Sequence, residues 1–304
     1  MAGPSSGGYP EPSTRWPKGE AIRKRLRRIA LAVIALVTTG LVAFVVYYRL
    51  NDESAVIDAD RTDHGPPPAS LGLSIQPVAL TAADGVKLAA WRIDPKSDGD
   101  RAFWVLHLHG NSSNLSTPGY AESYSYLQAI GAGILAVEYR GFGKSEGTVS
   151  EAGLYADAAA GYRYLREVVN VPPERIVAYG FSLGSGVAAQ LATTVPVAGL
   201  VLEGAYTSIR DRAQASHPLV PIPLLIGDRF NTLSRIAAVN APKLFIHGTG
   251  DTTIPITDAR ALFAAAREPK TFLEVPGEHA TAFRTDRARF YGGVAAFLAS
   301  LRHN

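Results

Sequence analysis

From Ile29 to Tyr48 the chain reads IALAVIALVTTGLVAFVVYY, 20 positions without a charge. At 1.5 Å rise per residue such a run makes a helix of roughly 30 Å, the thickness of a bilayer's hydrocarbon core. The two tyrosines at its far end suit the membrane–water boundary. No polar face interrupts the run, which argues against a helix buried in a soluble core. A cleaved signal peptide would carry a shorter apolar stretch, about 7–15 residues, ending at a small-residue site. The residues that follow offer only a weak site at Ser54-Ala55. The pattern predicts one transmembrane helix over residues 29–48.

On either side the pattern is polar. Residues 1–28, rich in Gly, Pro and Ser and then in Arg and Lys, read as a disordered basic tail. Residues 49–72, with their Pro triplet, read as a stalk linker. From residue 73 short apolar runs alternate with amphipathic stretches. Residues 73–80 and 86–92 flank the turn ADG and predict a hairpin. Further strands fall in RAFWVLHLHG, GAGILAVEY, RIVAYGF, VAGLVLEG, APKLFIHG and KTFLEVPG. Helices fall at 118–130, 149–169 (with Ser150 as N-cap), 183–194, 256–267 and 282–301. Wholly apolar strands between amphipathic helices are what a sheet covered on both faces requires. The order predicts a doubly wound, mostly parallel α/β domain over 73–304. A short lid is expected at about 207–240, where HPLVPIPLLIG forms an apolar, Pro-rich run that either packs on the core or serves as an acyl-binding wall or a membrane contact.

Charge sharpens this division. Of 30 basic and 27 acidic residues, seven basic and two acidic fall in 1–28, which leaves 23 basic against 25 acidic beyond. The basic excess belongs to the tail, so the globular part has no footprint for nucleic acid. Basic residues before the span and Asp52 and Glu53 after it place the N-terminus in the cytoplasm and the rest of the chain on the outer side. There is no cysteine, which excludes disulfides, thiolate metal sites and cysteine catalysis.

Three pentapeptides fit G-x-S-x-G: GPSSG at 3–7, GKSEG at 143–147 and GFSLG at 180–184. The pattern marks a sharp strand-to-helix turn that presents a nucleophilic serine. Ser5 lies in the tail and has neither strand nor helix beside it. Ser145 is separated from its strand by a loop, and no helix starts directly after it. Ser182 follows RIVAYGF directly and precedes the small-residue helix LGSGVAAQLATTV. Its neighbours Gly180 and Gly184 leave room for the turn. Ser182 is therefore the candidate nucleophile.

A serine hydroxyl needs a base, and the base needs an orienting acid. In this chain order the acid comes next and histidine last. Asp251, in LFIHGTGDTTIP, lies just beyond a strand, and His279, in FLEVPGEHATAF, follows the last one. All three sit at carboxyl ends of strands, where open α/β sheets carry their sites. His247 is a rival base but ends a strand and precedes the acid, which favours a structural role. Glu203 is the rival acid, and Glu278 points elsewhere than its neighbour. The backbone N–H groups of Leu183, at a helix start, and of Asn111, after Gly110 in HGNSSN, are the candidate oxyanion donors.

Together LHLHGNSSNL, AVEYRGFGKSEG, YGFSLGSGVA, EGAYTSIRD, RFNTLSRI, LFIHGTGDTTIP and VPGEHATAF resemble the α/β-hydrolase superfamily, and more narrowly its membrane-anchored, α/β-hydrolase-domain-containing serine hydrolases. The resemblance runs over residues 105–283. It implies an α/β-hydrolase fold, a Ser182–His279–Asp251 triad, oxyanion donors at Asn111 and Leu183, and a structural role for the YRGFGKSEG loop. The reaction expected is cleavage of a carboxylic ester, a small-molecule or lipid ester, without metal or cofactor. A protein acyl-thioesterase or a peptidase would use the same triad.

Overall fold

The computed structural model describes Gly3, Gly7, Gly8, residues 19–96 and residues 101–302. The chain divides into two units, residues 1–50 and residues 51–304. The first contains helix α1, Gly19–Leu50, of 32 residues. It is long and apolar enough to cross a membrane. The expected span lies inside it, and the helix begins ten residues earlier than the apolar run. Residues 19–28, read as part of a disordered tail, are helical. Arg, Lys, Leu and Ala there are good helix formers, and Glu20 pairs with Lys24 one turn on at 3.1 Å. Of the tail itself, residues 1–18, all but three glycines lie outside the described residues.

The second unit opens with α2 (Asp52–Val56). Among the described residues eight strands form one sheet. They are β1 Ile75–Thr81, β2 Lys87–Ile93, β3 Trp104–Leu108, β4 Gly133–Val137, β5 Ile176–Phe181, β6 Gly199–Glu203, β7 Lys243–Gly248 and β8 Lys270–Val275. Their order is β1-β2-β4-β3-β5-β6-β7-β8. β2 runs antiparallel to both neighbours, and the strands from β4 to β8 are mutually parallel. The connecting helices are α3 Pro118–Ala129, α4 Glu151–Glu167 and α5 Leu183–Thr194, then α6 Ile209–Ser216, α7 Ile222–Leu225 and α8 Thr232–Ile236 between β6 and β7. After these come α9 Ile256–Ala265, α10 Ala282–Thr285 and α11 Arg287–Ser300.

The strand pattern divides the core into two layers, because successive side chains point to opposite faces. Leu106, Leu108, Leu135, Val137, Ala178, Leu200 and Leu202 face the layer that holds α4 and α5. Val105, Ile134, Ala136, Val177, Tyr179 and Val201 face the layer that holds α3 and α11. From β3 the chain moves one way to β4, and from β5 the other way to β6. The loops after β3 and β5 therefore part at adjacent strands, leaving a crevice at their carboxyl ends.

Three local readings hold in detail. Ser150 caps α4, its hydroxyl accepting from Gly153 N at 3.0 Å. Ser145 is 3% exposed, and its hydroxyl accepts from Ala89 N and donates to Glu138 O, both at 2.9 Å. That ties the 140–147 loop to β2 and β4. His247 is buried, and its Nε2 donates to Ile254 O at 2.8 Å.

Two readings are corrected. The helix expected over 282–301 is broken at Asp286, whose φ of −138° leaves the helical range while its carboxylate caps α11 by accepting from Arg289 N at 3.0 Å. The segment read as a stalk is not a free linker over 51–64. Asp52, 3% exposed, accepts from Gly227 N at 2.7 Å and pairs with Arg229 at 2.8 Å. Ile57 is 4% exposed in the core, and Asn114 Nδ2 donates to Asp60 Oδ2 at 2.9 Å and to Thr62 O at 2.8 Å. The polar residues that suggested solvation are spent on specific partners in the domain.

Candidate active site

Ser182 stands between the end of β5 and the start of α5 with φ 51° and ψ −118°. A non-glycine residue pays strain in this region, and such positions persist where the surroundings hold them. Here Ser182 N donates to Glu203 O on β6 at 2.9 Å, and Ser182 O accepts from Ser185 N at 2.9 Å. The tight turn needs the two glycines. A Cβ on Gly184 would run into the Leu108 carbonyl, and one on Gly180 into the backbone of Gly184.

The turn aims Ser182 Oγ at His279, with Nε2 at 2.9 Å. His279 Nδ1 lies 2.6 Å from Asp251 Oδ2. The other Asp251 oxygen accepts from Thr253 N at 2.9 Å and Ile254 N at 2.8 Å. Burial by itself would raise the Asp251 carboxyl. The His279 hydrogen bond and the Ile254 N–H overcome that and hold it below the ordinary carboxylate value. The group therefore stays ionised beside the imidazole. The Phe181 ring packs beside the His279 ring, with centroids 5.0 Å apart.

Three residues from the ends of β5, β7 and β8 are thus joined in one hydrogen-bonded chain, as the sequence suggested. The rivals are not part of it. Glu203 turns its carboxyl to Tyr179 OH, which donates at 2.7 Å. His247 Nε2 is 3.4 Å from Asp251 Oδ2 but is engaged by Ile254 O, and burial lowers its pKa, so it stays neutral.

A cavity of about 730 Å³ opens over Ser182 and His279, within the usual range for small-molecule sites. Val56, Tyr120, Phe181, Tyr206, Ile209 and Phe283 give it an apolar lining. Leu183 and Asn111 line it too. Leu183 is the first residue of α5, where the N–H has no intrahelical acceptor. Among the described residues neither Leu183 N nor Asn111 N donates a hydrogen bond. The loop carrying Asn111 comes close to Ser182, since a Cβ on Gly110 would lie 3.3 Å from Ser182 Cβ. Tyr120 OH steadies that loop, accepting from Gly110 N and meeting Ser113 Oγ, each at 2.9 Å.

Sequence reasoning missed two parts of this site. It assigned Asn111 only a backbone role, yet its side chain binds residues 56 and 58 at once. It also missed Val56 as a cavity wall. The available signal was the apolar pair Val56-Ile57 inside an otherwise acidic stretch.

A strand-turn-helix serine joined to histidine and aspartate, on a mostly parallel eight-stranded sheet, is the architecture of an α/β-hydrolase. The chain belongs to the alpha/beta hydrolase family, which matches residues 105–302. An uncharacterised protein of Mycobacterium tuberculosis is 34% identical over 255 residues, 84% of this chain and 88% of that one. The lysophosphatidylserine lipase ABHD12 of Danio rerio is 25% identical over 279 residues, 80% of this chain and 71% of that one. Among solved structures, an esterase of Pyrococcus furiosus, Pf2001, superposes with a TM-score of 0.66 at 21% identity, covering 81% of this chain and 98% of the esterase. This last likeness is one of fold.

Proposed function

We propose that this protein is a membrane-anchored serine hydrolase that cleaves carboxylic esters with an apolar acyl part. The observation that carries the reading is the linked Ser182, His279 and Asp251, with 2.9 and 2.6 Å between partners, at the floor of an apolar cavity. In this mechanism His279 Nε2 takes the Ser182 proton as Oγ attacks the ester carbonyl. Asp251 fixes the imidazole tautomer and stabilises the imidazolium. The N–H groups of Leu183 and Asn111 receive the oxyanion. His279 returns the proton to the leaving alkoxide, and water then releases the acid from Ser182 by the same route. These steps use only groups of the chain.

An ester of a fatty acid suits the apolar walls, and the lipid substrate in the name of the zebrafish relative supports a lipid ester here. The connection between β6 and β7 acts as a short lid. Its α6 contributes Ile209 and Ala213 to the cavity, and Leu219 on its outer side is 97% exposed. Residues 29–48 serve as the anchor, with the N-terminus cytoplasmic and the hydrolase unit on the outer side.

Fluorophosphonate labelling and aryl-ester turnover test the assignment. Ser182→Ala is expected to abolish labelling and lower kcat by roughly 10⁴-fold or more. Turnover at the wild-type rate would disprove it. Orientation is tested by adding protease to intact cells, where the hydrolase unit should be digested.

A further inference from the structure

The geometry points to a positioning role in catalysis for residues 56–58, and for Asp58 above all: they hold the Asn111 loop so that its N–H meets the oxyanion. This rests on the reading of Asn111 N as an oxyanion donor and deepens it.

The loop after β3 has little of its own to fix its tip. Gly110 N and Ser113 Oγ are tied to Tyr120 OH. Between them, every hydrogen bond that Asn111 and Ser112 make among the described residues goes to residues 56–58. Asn111 Oδ1 accepts from Asp58 N at 2.9 Å, and its Nδ2 donates to Val56 O at 3.1 Å. The side-chain amide thus grips the segment as a neighbouring strand would. Ser112 has φ 52°, a strained value for serine. Its N–H donates to Asp58 O at 2.9 Å, and its hydroxyl donates to Asp58 Oδ2 at 2.7 Å. Asp58 therefore supplies a donor, a carbonyl and a carboxylate to two consecutive loop residues.

The segment can bear this duty because it is itself held at both ends. Upstream, Asp52 is locked to Gly227 and Arg229. Downstream, Asp60 O accepts from Gly143 N at 2.8 Å and Arg61 Nε donates to Gly141 O at 2.7 Å. Ile57, between them, is buried in the core. Val56 also forms part of the cavity wall.

An oxyanion donor acts on charge that develops in the transition state, so displacing it lowers kcat and spares substrate binding. A misplacement of about 1 Å can cost up to about 100-fold. Asn111→Ala keeps the backbone N–H and removes only the grip. Asp58→Ala removes the bond to the Ser112 hydroxyl, and Asp58→Asn retains an acceptor for it.

The test uses full-length protein in detergent, with kcat normalised to sites labelled by fluorophosphonate so that unfolded molecules do not count. Asn111→Ala and Asp58→Ala are expected to lower kcat on an aryl ester by about 10- to 100-fold, with KM within about twofold. Affinity for an alkyl boronic acid, whose tetrahedral adduct places an oxygen among the same donors, should fall in parallel. Asp58→Asn should restore most of the loss. Wild-type kcat per labelled site in both alanine variants would overturn the inference, as would an Asp58→Asn variant no better than Asp58→Ala. Ser182→Ala run beside them separates the two claims. If it retains turnover, the proposed mechanism fails. If it is dead while Asp58→Ala and Asn111→Ala are normal, only the positioning role fails.

Discussion

Glu203, whose carbonyl accepts from Ser182 N, offers a measurable test of how the interior beside that serine is built. It ends β6, is 8% exposed, and its carboxyl accepts from Tyr179 OH at 2.7 Å. Burial raises its pKa from 4.5 to about 7, with the Tyr179 hydrogen bond and the nearby His279 only partly opposing the shift. Below pH 4.5 the folded and unfolded chains both hold this proton, and folding is not penalised. Between pH 4.5 and 7 the unfolded chain releases it while the folded chain keeps it, so stability falls as pH rises. Above pH 7 both are ionised and the loss is constant. The gap from 4.5 to about 7, at roughly 1.4 kcal/mol per pH unit, comes to between about 3 and 4 kcal/mol, of which about 3 falls between pH 4.5 and 8. Glu203→Gln cannot ionise, and its amide oxygen can still accept from Tyr179. The variant should gain on the wild type as pH rises, by about 3 kcal/mol between pH 4.5 and 8. For a domain of this size that is roughly 6–12 °C in Tm. Scanning fluorimetry of the full-length protein at pH 4.5, 6 and 8 measures it. A constant difference at all three pH values, whatever the cost of the extra amide N–H, would mean that Glu203 titrates alike in the folded and unfolded chains and would refute the argument. A difference that shrinks toward pH 8 would refute the argument outright.

Other expectations follow from the same geometry. Asp251→Asn should fold normally but lose about 10⁴-fold in kcat, because the amide permits the wrong imidazole tautomer; a loss under tenfold in steady-state assays would reassign the acid. Ser145→Ala should keep wild-type kcat per labelled site and lose about 1–3 kcal/mol of stability in denaturant titration, since its hydroxyl bridges Ala89 N and Glu138 O. An inactive but stable Ser145→Ala would place that serine in the chemistry after all.

The sheet was largely legible in the sequence because its strands are short, apolar and punctuated by Gly, Asn and Pro. Each expected strand lies where a run such as RIVAYGF predicts, and α5 spans 183–194 as anticipated. Meeting points of side chains were harder to read. Choosing Ser182 over Ser145 rested on what flanks each serine, and the structure gives Ser145 a purely internal set of partners. The break at Asp286 went unseen because a single residue leaving helical φ/ψ does not disturb apolar periodicity. The stretch 51–64 was misread for a different reason. An acidic segment in water and one whose carboxylates meet Arg229, Ser112 and Asn114 have the same composition. Only tertiary partners, brought from 54 to 177 positions away in sequence, tell them apart.

Residues 51–64 also decide what release from a membrane would mean. A cut in the exposed stretch just before the Pro66–Pro68 run would leave the sheet, the serine turn and the histidine on the freed piece. Asp52, Val56 and Asp58 would remain with the N-terminal helix. The shortened product would keep the serine turn and the histidine, yet lack Ile57 from its core and the partners of Asn111 and Ser112. If residues 56–58 position the Asn111 loop as proposed, a cut at that point would also lower the activity of the piece it frees.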